Sequence, residues 1–152
     1  MKRMDRKAVK YFVIHCSDTK PGQACNAETI DAWHRQRGFE MIGYHYVILP
    51  DGTVEHGRPL FCEGAHCVKG GMNHKSIGIC YVGGRDSDGK SADTRTTNQK
   101  LSMQHLLLRL HSRYPQAVII GHRDADNGKV CPCFKASSLN QQVFGYEWRQ
   151  AL

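Results

Sequence analysis

No apolar stretch in this chain approaches the roughly 18 to 20 residues that a helix needs to cross a bilayer. A membrane-spanning protein is therefore not expected. The basic start, Met1 to Lys7, is followed by only a short apolar run that ends in His15-Cys16-Ser17-Asp18. That run reads as a strand, not as the core of a secretory leader. Synthesis in the cytoplasm without an export signal, and no stable membrane association, are the expectations. Repeats, low-complexity tracts and linker-like stretches are missing too. The 152 residues, 40% of them hydrophobic, suffice for one core. A single domain over residues 1–152, expected to be a monomer, follows from these absences.

Acid is scarce. Fourteen Asp and Glu stand against 21 Lys and Arg, a formal net charge of +7. Such a balance suits an anionic partner: nucleic acid, a membrane surface or a bacterial wall polymer. Nucleic acid ranks last, because no basic cluster interleaved with aromatics stands out. The cysteines number seven, odd for a chain read as having no leader, so a disulfide framework is not expected. Cys16 and Cys80 lie in apolar strands and read as small core residues. Cys25, Cys62 and Cys67 fall in loops; Cys62 and Cys67 are expected as reduced thiols that would pair only in an oxidising compartment.

What is present is a mixed order of elements. Residues 11–16 read as a buried strand. Asn26 can cap a helix that carries Ile30, Trp33 and His34 or Arg37 at helical spacing and stops at Gly38. Tyr44 to Leu49 reads as a strand, Pro50 to Thr53 as a turn and Val54 to Gly57 as the return strand, with Asp51-Gly52 the hairpin signal. Residues 58–75 read as a long loop, hinged by Gly64, Gly70 and Gly71. Ser76 to Val82 is a second buried strand and residues 85–96 a polar loop. Thr97 to Arg113 is the clearest helix, and Ala117 to Gly121 the last strand. A short helix over Ser138 to Trp148 completes the reading. The class is α/β, a central mixed sheet flanked by helices.

The chemistry concentrates at strand ends. His15 and His122 each stand where an apolar strand meets a polar loop, and Cys131 follows His122 after eight residues. Two imidazoles and a thiolate are enough for a zinc site with one coordination position open for catalysis. Spacing alone does not choose between that site and two strand-end histidines with a buried cysteine. Cys133, two residues on, offers a second candidate thiolate. Lys129 can steady an oxyanion or be a solvated loop lysine. Tyr44 can donate to the same oxyanion or simply be a half-buried strand tyrosine, with His45 on the opposite strand face. Asp124 and Asp126 are expected as solvated loop acids, and His105 and His111 as helix-surface residues. A Cys–His hydrolase with a thiolate nucleophile is a further reading, which chelator sensitivity separates from a zinc enzyme.

Six blocks occur in order: Ile14 to Thr19, Ile42 to Ile48, Asp51 to Arg58, Gly64-Ala65-His66, Asn73 to Ile79, and Gly121-His122 with Lys129-Val130-Cys131-Pro132. From about residue 10 to about residue 135 the chain resembles the type 2 N-acetylmuramoyl-L-alanine amidases, above all the short phage lysozymes of that kind. Animal peptidoglycan-recognition proteins share the fold. The resemblance implies zinc held by His15, His122 and Cys131, with Cys131 preferred because it precedes Pro132 and follows Lys129. It implies that Tyr44 and Lys129 assist the transition state, and that the reaction is hydrolysis of the amide between N-acetylmuramic acid and L-alanine of peptidoglycan. His66 and Asn73 are expected to shape the substrate groove. The loop from His122 to Cys131 is slightly longer than in the nearest phage enzymes. A non-catalytic peptidoglycan-binding module is the alternative; relatives of that kind typically lack the ligand cysteine. With no room for a wall-binding domain and no export signal, action on the wall is expected only after release, by cell lysis or a membrane-permeabilising partner.

Overall fold

A computed structural model of the chain describes residues 1–145. The strands Tyr11–Cys16 (β1), Tyr46–Ile48 (β2), Val54–His56 (β3), Ser76–Tyr81 (β4) and Val118–Gly121 (β5) form one sheet in the order β3-β2-β4-β1-β5. β1 runs parallel to β4 and β5, β2 runs parallel to β4, and only the β2–β3 hairpin is antiparallel. All of β4, and all of β1 after Tyr11, is buried. These two strands are covered on both faces, which is why they read as continuous apolar runs rather than as an alternation.

The alternation survives in which face each residue fills. Phe12, Ile14, Ile77 and Ile79 pack with Met103, Leu106, Leu107 and Leu110 of the helix Thr97–Arg113. Val47, Cys80 and Val82 pack with Ile30 of the helix Ala27–Gln36. We label these helices α2 and α1. Both begin with reciprocal caps, Asn26 with Thr29 and Thr96 with Gln99, which satisfy first-turn N–H groups. Gln99 is fully buried and its amide donates to the carbonyls of Ile48 and Val82, tying α2 to the ends of β2 and β4.

Three expectations need correction. The strand expected from Tyr44 starts at Tyr46. The two preceding residues still exchange backbone hydrogen bonds with Gly57, Arg58 and Gly78, but irregularly. The long loop contains 3-10 turns over Lys69–His74, with Gly70 (φ 72°) and Gly71 (φ 63°) left-handed inside them. In place of a helix from Ser138, a 3-10 turn covers Ala136–Ser138 and a π-helical turn Asn140–Phe144, ended by Gly145 at φ 75°. Residues 146–148 of that expected helix lie outside the described residues. Here a buried side chain overrides helix propensity: Asn140 exchanges hydrogen bonds with both backbone groups of Ile119. All seven cysteines are free. No helix among the described residues is long and apolar enough to cross a membrane.

Candidate active site

His15 is the penultimate residue of β1, and His122 follows β5 directly. β1 and β5 are parallel neighbours with Ile14 opposite Gly121. The two imidazoles therefore meet at the carboxyl edge of the sheet, 4.6 Å between ring centroids. Open α/β sheets commonly place ligands at that edge.

Cys131 is returned to the same edge by its loop. A short helical turn, His122–Ala125, follows β5, and the N–H of Arg123 donates to the Cys131 carbonyl at 2.8 Å. Asp124 accepts from the Gly121 N–H at 2.7 Å. Asp126 accepts from the Gly128 N–H and pairs with Lys69 Nζ, both at 3.2 Å. Both acids are thus half-buried organisers of the loop, not merely solvated ones. The Cys131–Pro132 peptide is cis. The Pro132 carbonyl accepts from the buried Tyr81 hydroxyl at 2.7 Å. A Cβ on Gly121 would come within 2.7 Å of Pro132 Cδ, so the close return of this loop requires glycine there.

One donor atom each from His15, His122 and Cys131 lies within 4.8 Å of the others, a group able to hold a metal ion. His15 Nδ1 is 3.9 Å from Cys131 Sγ, and the Cys16 N–H donates to that sulfur at 3.2 Å. Cys133 is turned elsewhere: its thiol donates to the Gly84 carbonyl at 3.5 Å and lies 3.9 Å from Cys16 Sγ. Burial first, then the Cys16 thiol, push Cys133 up to about 12. His15 is held well below the usual histidine range by burial and then by the neighbouring rings of His66, His122 and His34, so it is neutral near pH 7.

Tyr44 and Lys129 line a cavity of about 450 Å³ together with His122 and Cys131. The Tyr44 ring is 4.9 Å from that of His15. Burial, reinforced by the thiols of Cys80, Cys131 and Cys16, raises its hydroxyl well above the ordinary tyrosine value and keeps it a donor. Lys129 is exposed at a turn of the loop.

His66 and Asn73 do not line the groove. His66 is buried behind His15, its Nδ1 2.8 Å from His15 Nε2, and Asn73 accepts from the N–H groups of His66 and Cys67. His45 also faces inward. Its Nδ1 accepts from the Gly78 N–H, its Nε2 donates to the Cys62 carbonyl, and burial lowers its pKa to about 4. His105 is exposed as expected, whereas His111 is half-buried and stacks on Phe144 with centroids 4.1 Å apart.

The groove contains residues that sequence reasoning did not assign. Trp33, His34 and Arg37 from α1 and its end, and Asp18 and Arg85 from loops after β1 and β4, line its walls. His34 Nδ1 accepts from the Gly43 N–H at 2.9 Å and its ring lies 5.4 Å from Tyr44. Arg85 pairs with Asp18 at 2.7 Å. The helical stripe of Ile30, Trp33 and His34 was legible, but it reads as core; only the packing of α1 shows that its far end borders a cavity.

Residues 5–134 match the family described as N-acetylmuramoyl-L-alanine amidase. The endolysin of Escherichia phage T7 is 40% identical over 129 residues, 85% of this chain and 83% of the relative. Peptidoglycan-recognition protein SC2 of Drosophila melanogaster is 32% identical over 134 residues, 82% of this chain and 68% of the relative. Among solved structures, N-acetylmuramoyl-L-alanine amidase LysC from Clostridium intestinale superposes with a TM-score of 0.79 at 24% identity, covering 97% of this chain and 92% of that one. Drosophila PGRP-LB superposes with a TM-score of 0.77 at 20% identity, covering 99% and 89%. These two structural likenesses speak for the fold.

Proposed function

We propose, from the premise that this chain belongs to the N-acetylmuramoyl-L-alanine amidase family, that it is a zinc-dependent hydrolase of the bond between N-acetylmuramic acid and L-alanine in peptidoglycan. The observation that carries the reading is the convergence of His15, His122 and Cys131 beside Tyr44 and Lys129 in one open groove. The trio fits zinc. Imidazole and thiolate are its preferred donors, and a shared tetrahedral ion holds such atoms about 3.5 Å apart, close to the 3.9 Å between His15 Nδ1 and Cys131 Sγ. The N–H of Cys16 aimed at Cys131 suits a charged sulfur.

Zinc bound there would supply Lewis acidity toward the scissile carbonyl and lower the pKa of a water. The chain's own groups do the rest. Lys129 brings an ammonium, and Tyr44 a protonated hydroxyl, to the negative charge that develops on the carbonyl oxygen. Trp33 offers a flat apolar wall, and Arg37 and Arg85 offer guanidinium groups to an anionic substrate. The walls of this groove then contribute to substrate specificity. The chain acts as a monomer on the wall after release from the cell.

Mass spectrometry of digested peptidoglycan, with metal content measured on the same sample, tests the proposal. Free stem peptide beginning at L-alanine and about one zinc per chain are expected. Chelator should abolish release and zinc should restore it, while Cys131→Ala should lose both metal and activity. Tight binding of muropeptides without release would favour a recognition module instead. Full activity of a zinc-free Cys131→Ala protein would overturn the metal mechanism.

A further inference from the structure

We propose that a hydrogen-bond relay from the Met72 carbonyl through Ser76 and His66 fixes the tautomer of His15, which makes Ser76 and His66 positioning residues of the metal site. The metal half of this inference rests on the zinc reading above. The tautomer half does not.

The direction of the relay follows from its first link. Ser76 Oγ lies 2.7 Å from the Met72 carbonyl oxygen and 3.2 Å from His66 Nε2. A carbonyl oxygen can only accept, so the single hydroxyl proton of Ser76 is spent on Met72. Ser76 Oγ then accepts from His66, and the ring proton of His66 sits on Nε2. His66 Nδ1 is left with a lone pair, 2.8 Å from His15 Nε2. That contact is a hydrogen bond only if His15 Nε2 carries its proton. The free lone pair of His15 is therefore on Nδ1, the nitrogen that faces Cys131 Sγ. The reverse relay would put a proton on Nδ1 and close that ligand position. Metal-bound imidazoles are commonly oriented in this way by a partner on the other nitrogen.

The slot for His66 is built into the fold. A Cβ on Gly78 would lie 2.6 Å from His66 Cδ2 and 2.9 Å from Nδ1, and a Cβ on Gly64 would strike the same ring edge. Two glycines thus make room for one imidazole between β4 and the loop that carries it. Asn73 Oδ1 pins that loop by accepting from the N–H groups of His66 at 3.0 Å and Cys67 at 2.9 Å. Ser76 has no exposed surface. Gly64, His66, Asn73, Ser76 and Gly78 do not line the groove, yet they fall in two of the six ordered sequence blocks.

Two measurements test this on the wild type and on Ser76→Ala, His66→Leu and His66→Asn proteins. Long-range proton–nitrogen NMR locates the imidazole protons, and competition with a chromogenic chelator gives the zinc affinity. In the wild type, zinc-loaded or chelator-treated, the His15 proton is expected on Nε2. Ser76→Ala and His66→Leu should bind zinc roughly 10- to 100-fold more weakly. His66→Asn should recover much of that loss, because its amide oxygen can accept in place of Nδ1. Ser76→Ala is nearly isosteric and carries the decision if His66→Leu does not fold. A His15 proton on Nδ1 in the chelator-treated wild type, or wild-type zinc affinity in Ser76→Ala, would overturn the proposal. A wild type that takes up no zinc but carries the His15 proton on Nε2 would overturn the metal role and the zinc reading while upholding the tautomer.

Discussion

At the scale of single residues, burial holds the His15 imidazole neutral and the Tyr44 hydroxyl protonated beside the groove. Lys129 and Tyr44 both face the cavity, and neither is a member of the His-His-Cys group. Lys129→Ala and Tyr44→Phe are therefore expected to lower kcat on a soluble muropeptide by about 100-fold each, with zinc content and Tm unchanged. His45 makes a different prediction. Its folded pKa of about 4 lies below the ordinary value of 6.5. Between these values the unfolded chain binds more protons than the folded one. Stability is then full above pH 6.5 and falls as the pH drops toward 4, by about 3 kcal/mol from this group. Urea unfolding from pH 7 to pH 4 should show the decline, and His45→Gln should make it shallower, the buried His15 and His66 contributing the rest. His15 and His122 were legible because each ends an apolar run. His66 was legible as a motif but not as a buried partner, because a histidine after Gly-Ala looks the same whether it faces solvent or another ring.

At the scale of elements, β5 shows how a side chain replaces a missing strand. β5 is an edge of the sheet, and an uncovered edge leaves backbone groups unpaired. Asn140 covers it: Oδ1 accepts from the Ile119 N–H, and Nδ2 donates to the carbonyls of Ile119 and Ser137, all within 2.9 Å. Asn140→Ala should cost about 2–4 kcal/mol, because a buried donor and acceptor both lose their partner. Zinc affinity should fall with it, since His122 follows β5 directly. Chemical denaturation and chelator competition on the same variant check both effects. The strands and α2 were readable from periodicity. The chain after Pro132 was not, since a polar side chain folded back onto a strand leaves no periodic trace.

At the scale of the whole molecule, the formal charge of +7 acts over distances that single contacts do not reach. At about 0.1 M salt the screening length is about 10 Å, and it shortens further as salt is added. Lysis of anionic cell walls should slow steeply between about 0.05 and 0.5 M sodium chloride as long-range attraction is screened. Hydrolysis of a small soluble muropeptide should change little over that range. Turbidity loss of purified walls, run beside chromatography of the muropeptide, separates the two. Equal salt sensitivity would place the charge effect in the groove, at Arg37, Arg85 and Lys129, and not in wall attraction.

The sequence by itself determined the class of fold, the strand-end positions of His15 and His122, and the donor types of the candidate site. Local periodicity and strand termination are properties of neighbouring residues, and they survive without any knowledge of packing. Only the tertiary structure decided that β1 and β5 lie side by side, that Cys131 faces the histidines while Cys133 faces Gly84, and that His66 stands behind His15 between two glycines. Those outcomes depend on strand order, on the path of one loop and on which of two nearby thiols its backbone turns inward. Contacts across 51 or 116 residues of chain, as between His15 and His66 or His15 and Cys131, carry no local signal. They exist because the sheet brings distant strand ends to one edge.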